Sequence, residues 1–379
     1  MCSKVIATLL AIVIVVGPIP AVFAGKGSRY LYVSTYIFEN RGAEAFNLTE
    51  DDATIPLFQS NSWQTVRVHN ATYSMVRERL DDDGNRLTVL DLPSKVPPDS
   101  SLQFSVTFEI ESHDRPRPEI DPAEGGPTSS IPSGLVEEFC VETETFTVGD
   151  GEIQALSRML TADETSVLGR VNRLLGWLIE NVSYSYWEVP RYPNETLAEG
   201  RGDCDDQAIL LVTMCRALGI PAILQVGVIF QEGIESERSS WGGHLNVEQR
   251  GVGWHGWALV YIPPWGWLPI DMTMVTSRDP LSRITEAPEY KHHVVTCFNV
   301  SMLEYVGDSR RSRARLMSSD LYISISDKVV SNVVIEDSSG AGWTETPYLI
   351  LGLSAGSVAV VIIFFLGRRR MRRVEEDIL

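Results

Sequence analysis

The chain has 379 residues, with 32 Lys and Arg against 50 Asp and Glu, a formal net charge of −18. A surface of that sign repels nucleic acid, so nucleic-acid partners are excluded. The 5 cysteines are too few for a disulfide scaffold in a chain of this length.

At the start, Lys4 precedes an apolar run from Val5 to Val16, followed by Gly17-Pro18 and then Val22-Phe23-Ala24. A positive residue, a short apolar stretch and a small residue at the cut position mark a signal peptide over 1–24. The run is too short to span a bilayer before Gly17-Pro18 breaks it. Cys2 lies ahead of it and leaves with the signal, so Cys140, Cys204, Cys215 and Cys297 remain. The triplets that open at Asn47, Asn70, Asn181, Asn194 and Asn299 permit glycosylation and show no more than that.

Residues 25–112 carry short alternating runs broken by turn residues. Tyr30–Val33, Thr65–Val68, Leu87–Leu90 and Phe104–Phe108 read as strands of a β-sandwich-like domain. Asp83-Gly84-Asn85 between two of them is a tight-turn signal. The aspartates before Gly84 lack the alternating spacing of a calcium loop, so a hairpin is expected. The Pro/Gly-rich stretch 113–135 reads as a linker or long surface loop.

The segment 136–306 carries the residues able to do chemistry. Asp203 to Leu218 reads as a helix, with Gly202 and Asp203 as break and N-cap and Gly219-Ile220-Pro221 as its stop. Cys204 therefore sits in the first turn, where free backbone N–H groups and the helix dipole favour a thiolate and can hold an oxyanion. Cys215, deeper in the same helix, reads as a buried apolar residue. The two lie about 16 Å apart along the axis, beyond disulfide reach. Cys140 and Cys297 are the candidate pair for a bridge.

Trp254–Tyr261 reads as a strand, Ile262 to Gly266 as a turn and Trp267–Asp271 as the returning strand. An odd loop puts His255 and Asp271 on the same face of that hairpin, able to work as an imidazole held by a carboxylate. An even loop would separate them. His244 is the rival base, without a carboxylate at strand spacing. His292-His293 with Cys297 satisfies no zinc-ligand spacing, so no metal is expected. Arg201-Gly202-Asp203 reads as the turn into the helix.

Residues 307–346 resume strand character at Leu321–Ile325 and end in a Ser/Gly-rich stalk at Ser338-Ser339-Gly340. The span 347–367 contains an uncharged run from Tyr348 to Leu366, about 28 Å long as a helix and close to the hydrocarbon thickness. Arg368, Arg369, Arg370, Arg372 and Arg373 follow, and positive charge marks the cytoplasmic side. The expected topology is single-pass type I, with an extracellular catalytic domain and a tail at 368–379.

Gly202-Asp203-Cys204-Asp205-Asp206-Gln207-Ala208, continuing through Cys215-Arg216-Ala217-Leu218-Gly219-Ile220-Pro221, resembles the cysteine segment of the transglutaminase-like superfamily. His255-Gly256-Trp257 and Trp267-Leu268-Pro269-Ile270-Asp271 resemble its histidine and aspartate segments, in the family's order. The resemblance covers about Leu168 to Thr273, and Gly256 stands where Ala is common. It implies an α+β fold with a papain-like core, in which the cysteine helix packs on an antiparallel sheet. It also implies a microbial enzyme needing no cofactor, with Cys204 as nucleophile, His255 as general base and acid, and Asp271 as orienter. An upstream aromatic, Tyr184, Tyr186 or Trp187, would assist the Cys204 oxyanion site. The reaction so implied is attack on protein or peptide amide bonds at the cell surface through a thioester resolved by water, as in a cysteine peptidase or amidase. Resolution by a lysine amine, as in a crosslinking transglutaminase, is the alternative, and a non-catalytic binding module is the third reading.

Overall fold

The computed structural model describes residues 26–335. The segments expected to be a signal peptide, a membrane span, a cytoplasmic tail and the Ser/Gly-rich end of a stalk lie outside the described residues. Among the described residues, no helix is long and apolar enough to cross a membrane.

Eight strands form one sheet: β1 (Gly27–Asn40), β2 (Gln64–Ala71), β3 (Ser100–His113), β4 (Ala222–Ser240), β5 (Leu245–Ile262), β6 (Gly266–Ile270), β7 (Val294–Val300) and β8 (Leu321–Ile335). Their order is β7-β4-β5-β8-β1-β3-β2, with β6 hydrogen-bonded to β5 beyond the end of β8. In β1 every second residue is buried, and Tyr30, Tyr32, Tyr36 and Phe38 point to one core. Phe104, Val106, Phe108 and Ile110 of β3 do the same.

The N-terminal strands do not form a separate core. β8 runs antiparallel to the whole of β1, from Gly27 opposite Ile335 to Asn40 opposite Leu321. Its first half lies parallel to β5, from Leu245 opposite Ile323 to Arg250 opposite Lys328. The strands expected to make an independent β-sandwich are thereby sewn into the sheet that carries His255, and one apolar cluster runs from Tyr30 to Ile325. Alternation shows which face of a strand is apolar, but not which strand it will pair with. A small second sheet of Thr54–Pro56, Arg86–Leu90 and Met75–Leu80 covers one side. There Phe58 packs on Tyr32, Phe108 and Trp254 at ring separations of 5.5, 5.3 and 5.9 Å.

The Asp83-Gly84-Asn85 turn is a hairpin, with Gly84 at φ 75°. The Asp83 carboxylate accepts the backbone N–H groups of Ser301, Met302 and Leu303. The Pro/Gly-rich stretch is a pinned surface loop: Arg115 donates to the carbonyls of Tyr290 and Trp267, and Gly126 to that of Pro263.

The longer helices sit on the half of the molecule that carries Cys204 and His255. They are α1 (Gly151–Leu160), α2 (Val167–Asn181), α3 (Cys204–Ala217) and α4 (Tyr305–Met317). Asp150 and Ser166 cap α1 and α2 by accepting backbone N–H groups of the first turn. Every residue of α3 from Cys204 to Arg216 is buried. Each fully covered Leu or Val there is worth about 1.5–3 kcal/mol of transfer free energy. Residues expected to begin a juxtamembrane stalk instead form α4 and β8, both integral to the body.

Candidate active site

α3 starts where the chain leaves Gly202. The Asp206 carboxylate reaches back to accept Asp203 N–H at 3.2 Å, and its other oxygen accepts Arg191 N–H at 2.7 Å. Gln207 Nε2 donates to Gly202 O at 2.9 Å, and the Tyr305 hydroxyl of α4 donates to Asp205 Oδ2 at 2.7 Å. Burial and the neighbouring Asp205 push Asp206 up to about 8, against the pull of its two N–H partners. Cys204 is the first residue of this clamped turn and is 3 % exposed.

The hairpin that faces it is β5–β6. Ile262 pairs with Gly266 and Ala258 with Ile270, so the loop is the three residues 263–265. The loop is odd, and His255 and Asp271 share a face. His255 Nε2 lies 2.5 Å from Asp271 Oδ2, and both residues are buried. Asp271 Oδ1 accepts the N–H groups of Thr273 and Met274 at 2.7 and 2.6 Å. Burial alone would raise Asp271, but the His255 charge and these hydrogen bonds outweigh it and hold the carboxyl below its usual range. His255 Nδ1 is buried and makes no hydrogen bond.

Helix and hairpin meet at Gly256. A Cβ on Gly256 would come within 3.0 Å of Asp205 Cβ and 3.2 Å of Asp205 Cα. The residue after His255 therefore touches the residue after Cys204.

Sequence reasoning missed a third carboxyl group. Glu289, in the short turn Pro288–Tyr290, is buried, and its Oε1 is 3.7 Å from His255 Nε2. Burial and the Asp271 charge hold it well above the ordinary carboxyl range, so it is neutral beside an ionised Asp271. No spacing rule connects Glu289 to the hairpin. Tyr305 was missed for the same reason.

The three aromatic candidates part company. Tyr184 is paired by backbone with Gly202, two residues before Cys204, and its side chain is 42 % exposed. The Tyr186 hydroxyl is 3.3 Å from Ser240 Oγ, with Arg238 over its ring. Trp187 lies under Arg191 at 4.1 Å.

His244 accepts no part in this cluster. Its Nδ1 is 3.0 Å from Leu321 O, its ring stacks on Tyr322, and the ten residues 245–254 of β5 separate it from His255, on the order of 30 Å. His292 is held by Asp114 at 2.7 Å. Cys140, Cys204, Cys215 and Cys297 are all free thiols, so the candidate Cys140–Cys297 bridge is not formed. Burial pushes Cys140 up to about 11 and raises Cys215 and Cys297 further.

Two sets bring possible cation ligands within 4.8 Å of one another, Asp203 with Cys204 and Asp205, and His255 with Asp271 and Glu289. In the second set the short His255–Asp271 hydrogen bond already occupies Nε2.

The helix that starts at Cys204 packs, through Asp205 against Gly256, on the hairpin that carries the buried His255–Asp271 pair. Residues 154–272 match the transglutaminase-like superfamily, and the chain carries a domain of that superfamily. No curated protein matches the chain. Among solved structures it is similar to a candidate cysteine protease from Cytophaga hutchinsonii, at 16 % identity and TM-score 0.44 over 87 % of this chain and 94 % of that one. It is also similar to the periplasmic domain of TgpA from Pseudomonas aeruginosa bound to ethylmercury, at 14 % identity and TM-score 0.31 over 72 % and 95 %. A third is Legionella pneumophila LapG, at 13 % identity and TM-score 0.27 over 45 % and 96 %.

Proposed function

We propose that the chain is a thiol enzyme that cleaves protein or peptide amide bonds through a thioester on Cys204, resolved by water. The observation that carries this reading is the buried His255–Asp271 pair, whose free Nδ1 belongs to the strand that packs against the first turn of the Cys204 helix. Asp271 holds the Nε2 proton, which leaves Nδ1 as the acceptor for the thiol proton. The thiolate adds to the carbonyl carbon, and the oxyanion is received by backbone N–H groups at the start of α3. His255 returns the proton to the departing amine, and a thioester remains. Water then gives up a proton to Nδ1 as it attacks, and the thiol and a carboxylic acid are released. Near-complete burial of both partners keeps the charges in a low-dielectric site, where the pairing is strong.

The segments at 1–24 and 347–367 support an outward-facing, membrane-tethered enzyme acting on proteins or peptides at the cell surface. External protease on intact cells should then remove the Cys204 region and spare the tail after Arg368. Protection of the Cys204 region would overturn that topology.

The test of the reaction is mass spectrometry of the protein after incubation with peptides and a primary amine. An acyl adduct on Cys204 and products carrying one added water are expected. Products that carry the amine in place of water would make it an acyl transferase. Absence of both adduct and cleaved product with the wild type would leave a binding module on the same fold.

A further inference from the structure

A cavity of about 240 Å³ lies between the segment that precedes the catalytic helix and α4, lined by Trp187, Glu188, Val189, Arg191, Arg310 and Arg313. Both walls are fastened to the first turn of α3. Arg191 donates its backbone N–H to Asp206, and Tyr305, in the first turn of α4, donates its hydroxyl to Asp205. The buried stripe of α4 includes Tyr305, Ser309, Ser312 and Leu316, and places Arg310 and Arg313 together beside it, three residues apart.

Four donors among the lining residues are shielded from solvent and make no hydrogen bond: Trp187 Nε1, Arg191 Nε, Arg310 Nε and Arg313 Nε, the last facing Glu188 Oε2 at 3.7 Å. Leaving such groups unsatisfied is costly, and native structures rarely do so in a cluster. The arginines do have acidic neighbours, but each uses only part of the five donors a guanidinium carries. Arg191 bonds Glu199 at 2.5 Å, Arg310 pairs with Glu195, and Arg313 stands 3.7 Å from Glu188. The last pair is too long for a hydrogen bond. With side chains 42 and 44 % exposed, it is readily exchanged for a better acceptor. Arg191 is held flat on the Trp187 ring and Arg310 on Tyr192, so the donors are fixed in place before any ligand arrives. Glu199, Glu195 and Glu188 offset the three guanidiniums in charge, so what sets this cavity apart is its density of donors.

We infer that this cavity is a carboxylate-binding subsite beside Cys204, which takes an acidic side chain or the terminal carboxylate of a peptide. A carboxylate offers two acceptor oxygens to the guanidinium forks and indole N–H, and Val189 covers the methylenes behind it. The assignment of that carboxylate to the substrate rests on the thiol-enzyme reading, whereas the binding itself does not.

The test is calorimetry on the full chain with three probes: N-acetyl-glutamyl amide, N-acetylglycine, and the neutral N-acetyl-glutaminyl amide. At least one acid should bind roughly tenfold or more tightly than the neutral amide. Which acid does so separates a side-chain from a chain-end carboxylate. Arg313→Gln should weaken that binding roughly tenfold, and Arg313→Lys should keep part of it, while both melt as the wild type does. Equal binding of acid and amide, or undiminished binding in Arg313→Gln, would overturn the subsite. Thioester formation on Cys204 from matched Glu and Gln peptides is the second arm. Acid binding without any thioester keeps the subsite and removes the enzyme reading. Thioesters formed equally from both peptides, and equally from the same peptides with an amidated C-terminus, keep the enzyme and overturn the subsite.

Discussion

Gly256 touches Asp205 so closely that a methyl group on its Cα would stand 3.0 Å from the Asp205 Cβ. This contact joins the strand of His255 to the helix of Cys204, and it explains glycine at a position where the wider family commonly has alanine. Gly256→Ala must push the helix start away by a few tenths of an ångström. Overpacking of this kind costs about 1–3 kcal/mol. The expected result is a lower melting temperature together with slower alkylation of Cys204. A variant as stable and as reactive as wild type would show that helix and strand can separate freely.

The four thiols should differ sharply. Burial holds Cys140, Cys215 and Cys297 above the ordinary thiol range, whereas Cys204 begins a helix packed against the strand of His255. Iodoacetamide near pH 7, followed by peptide mapping, should label Cys204 alone. The rate should exceed that of Cys140 by roughly 10⁴-fold, the ratio expected for a thiolate over a thiol about four pH units below its pKa. Equal labelling of Cys140 would remove the special status of Cys204.

Asp271→Asn tests the tautomer. Asp271 Oδ1 accepts from Thr273 and Met274, so the variant keeps its oxygen there and turns an NH₂ group toward His255 Nε2. The imidazole proton then moves to Nδ1, which can no longer accept from the thiol. Turnover should fall by roughly 10²–10⁴-fold. Stability should fall as well, with a defined sign. Asp271 titrates below its unfolded value, so its stabilisation is present above the unfolded pKa and is lost as pH falls through the folded one. The stability gap between wild type and variant should therefore close on acidification. A gap that is constant with pH would contradict the pairing.

Glu289 has the opposite sign. Its folded pKa lies well above the ordinary value, so its contribution is present below the unfolded pKa and is lost as pH rises toward the folded one. Glu289→Gln, which copies the neutral acid, should gain on wild type from about pH 5 upward, by at most about 1.4 kcal/mol per pH unit. Denaturant unfolding at pH 5, 7 and 9 measures this. A difference that does not change across that range would mean Glu289 is not held neutral.

The parts of the site that are local in the chain were legible in the sequence. The Asp203 cap and the uninterrupted helix formers after it put Cys204 in a first turn, because capping and propensity act over a few residues. The odd loop between β5 and β6 put His255 and Asp271 on one face, because the side-chain period of a strand is two. Sequence alone also indicated charged ends and an apolar C-terminal span, which lie outside residues 26–335. Only the tertiary structure decided that β8 joins residues 245–250 to 323–328 and so merges two expected domains into one sheet. Only it brought Glu289 to the His–Asp pair, Tyr305 to Asp205, and Arg310 and Arg313 to Trp187. These are meetings between residues from tens to more than a hundred positions apart. Such contacts are chosen by the burial of whole faces against one another, and that selection leaves no spacing in the sequence to read.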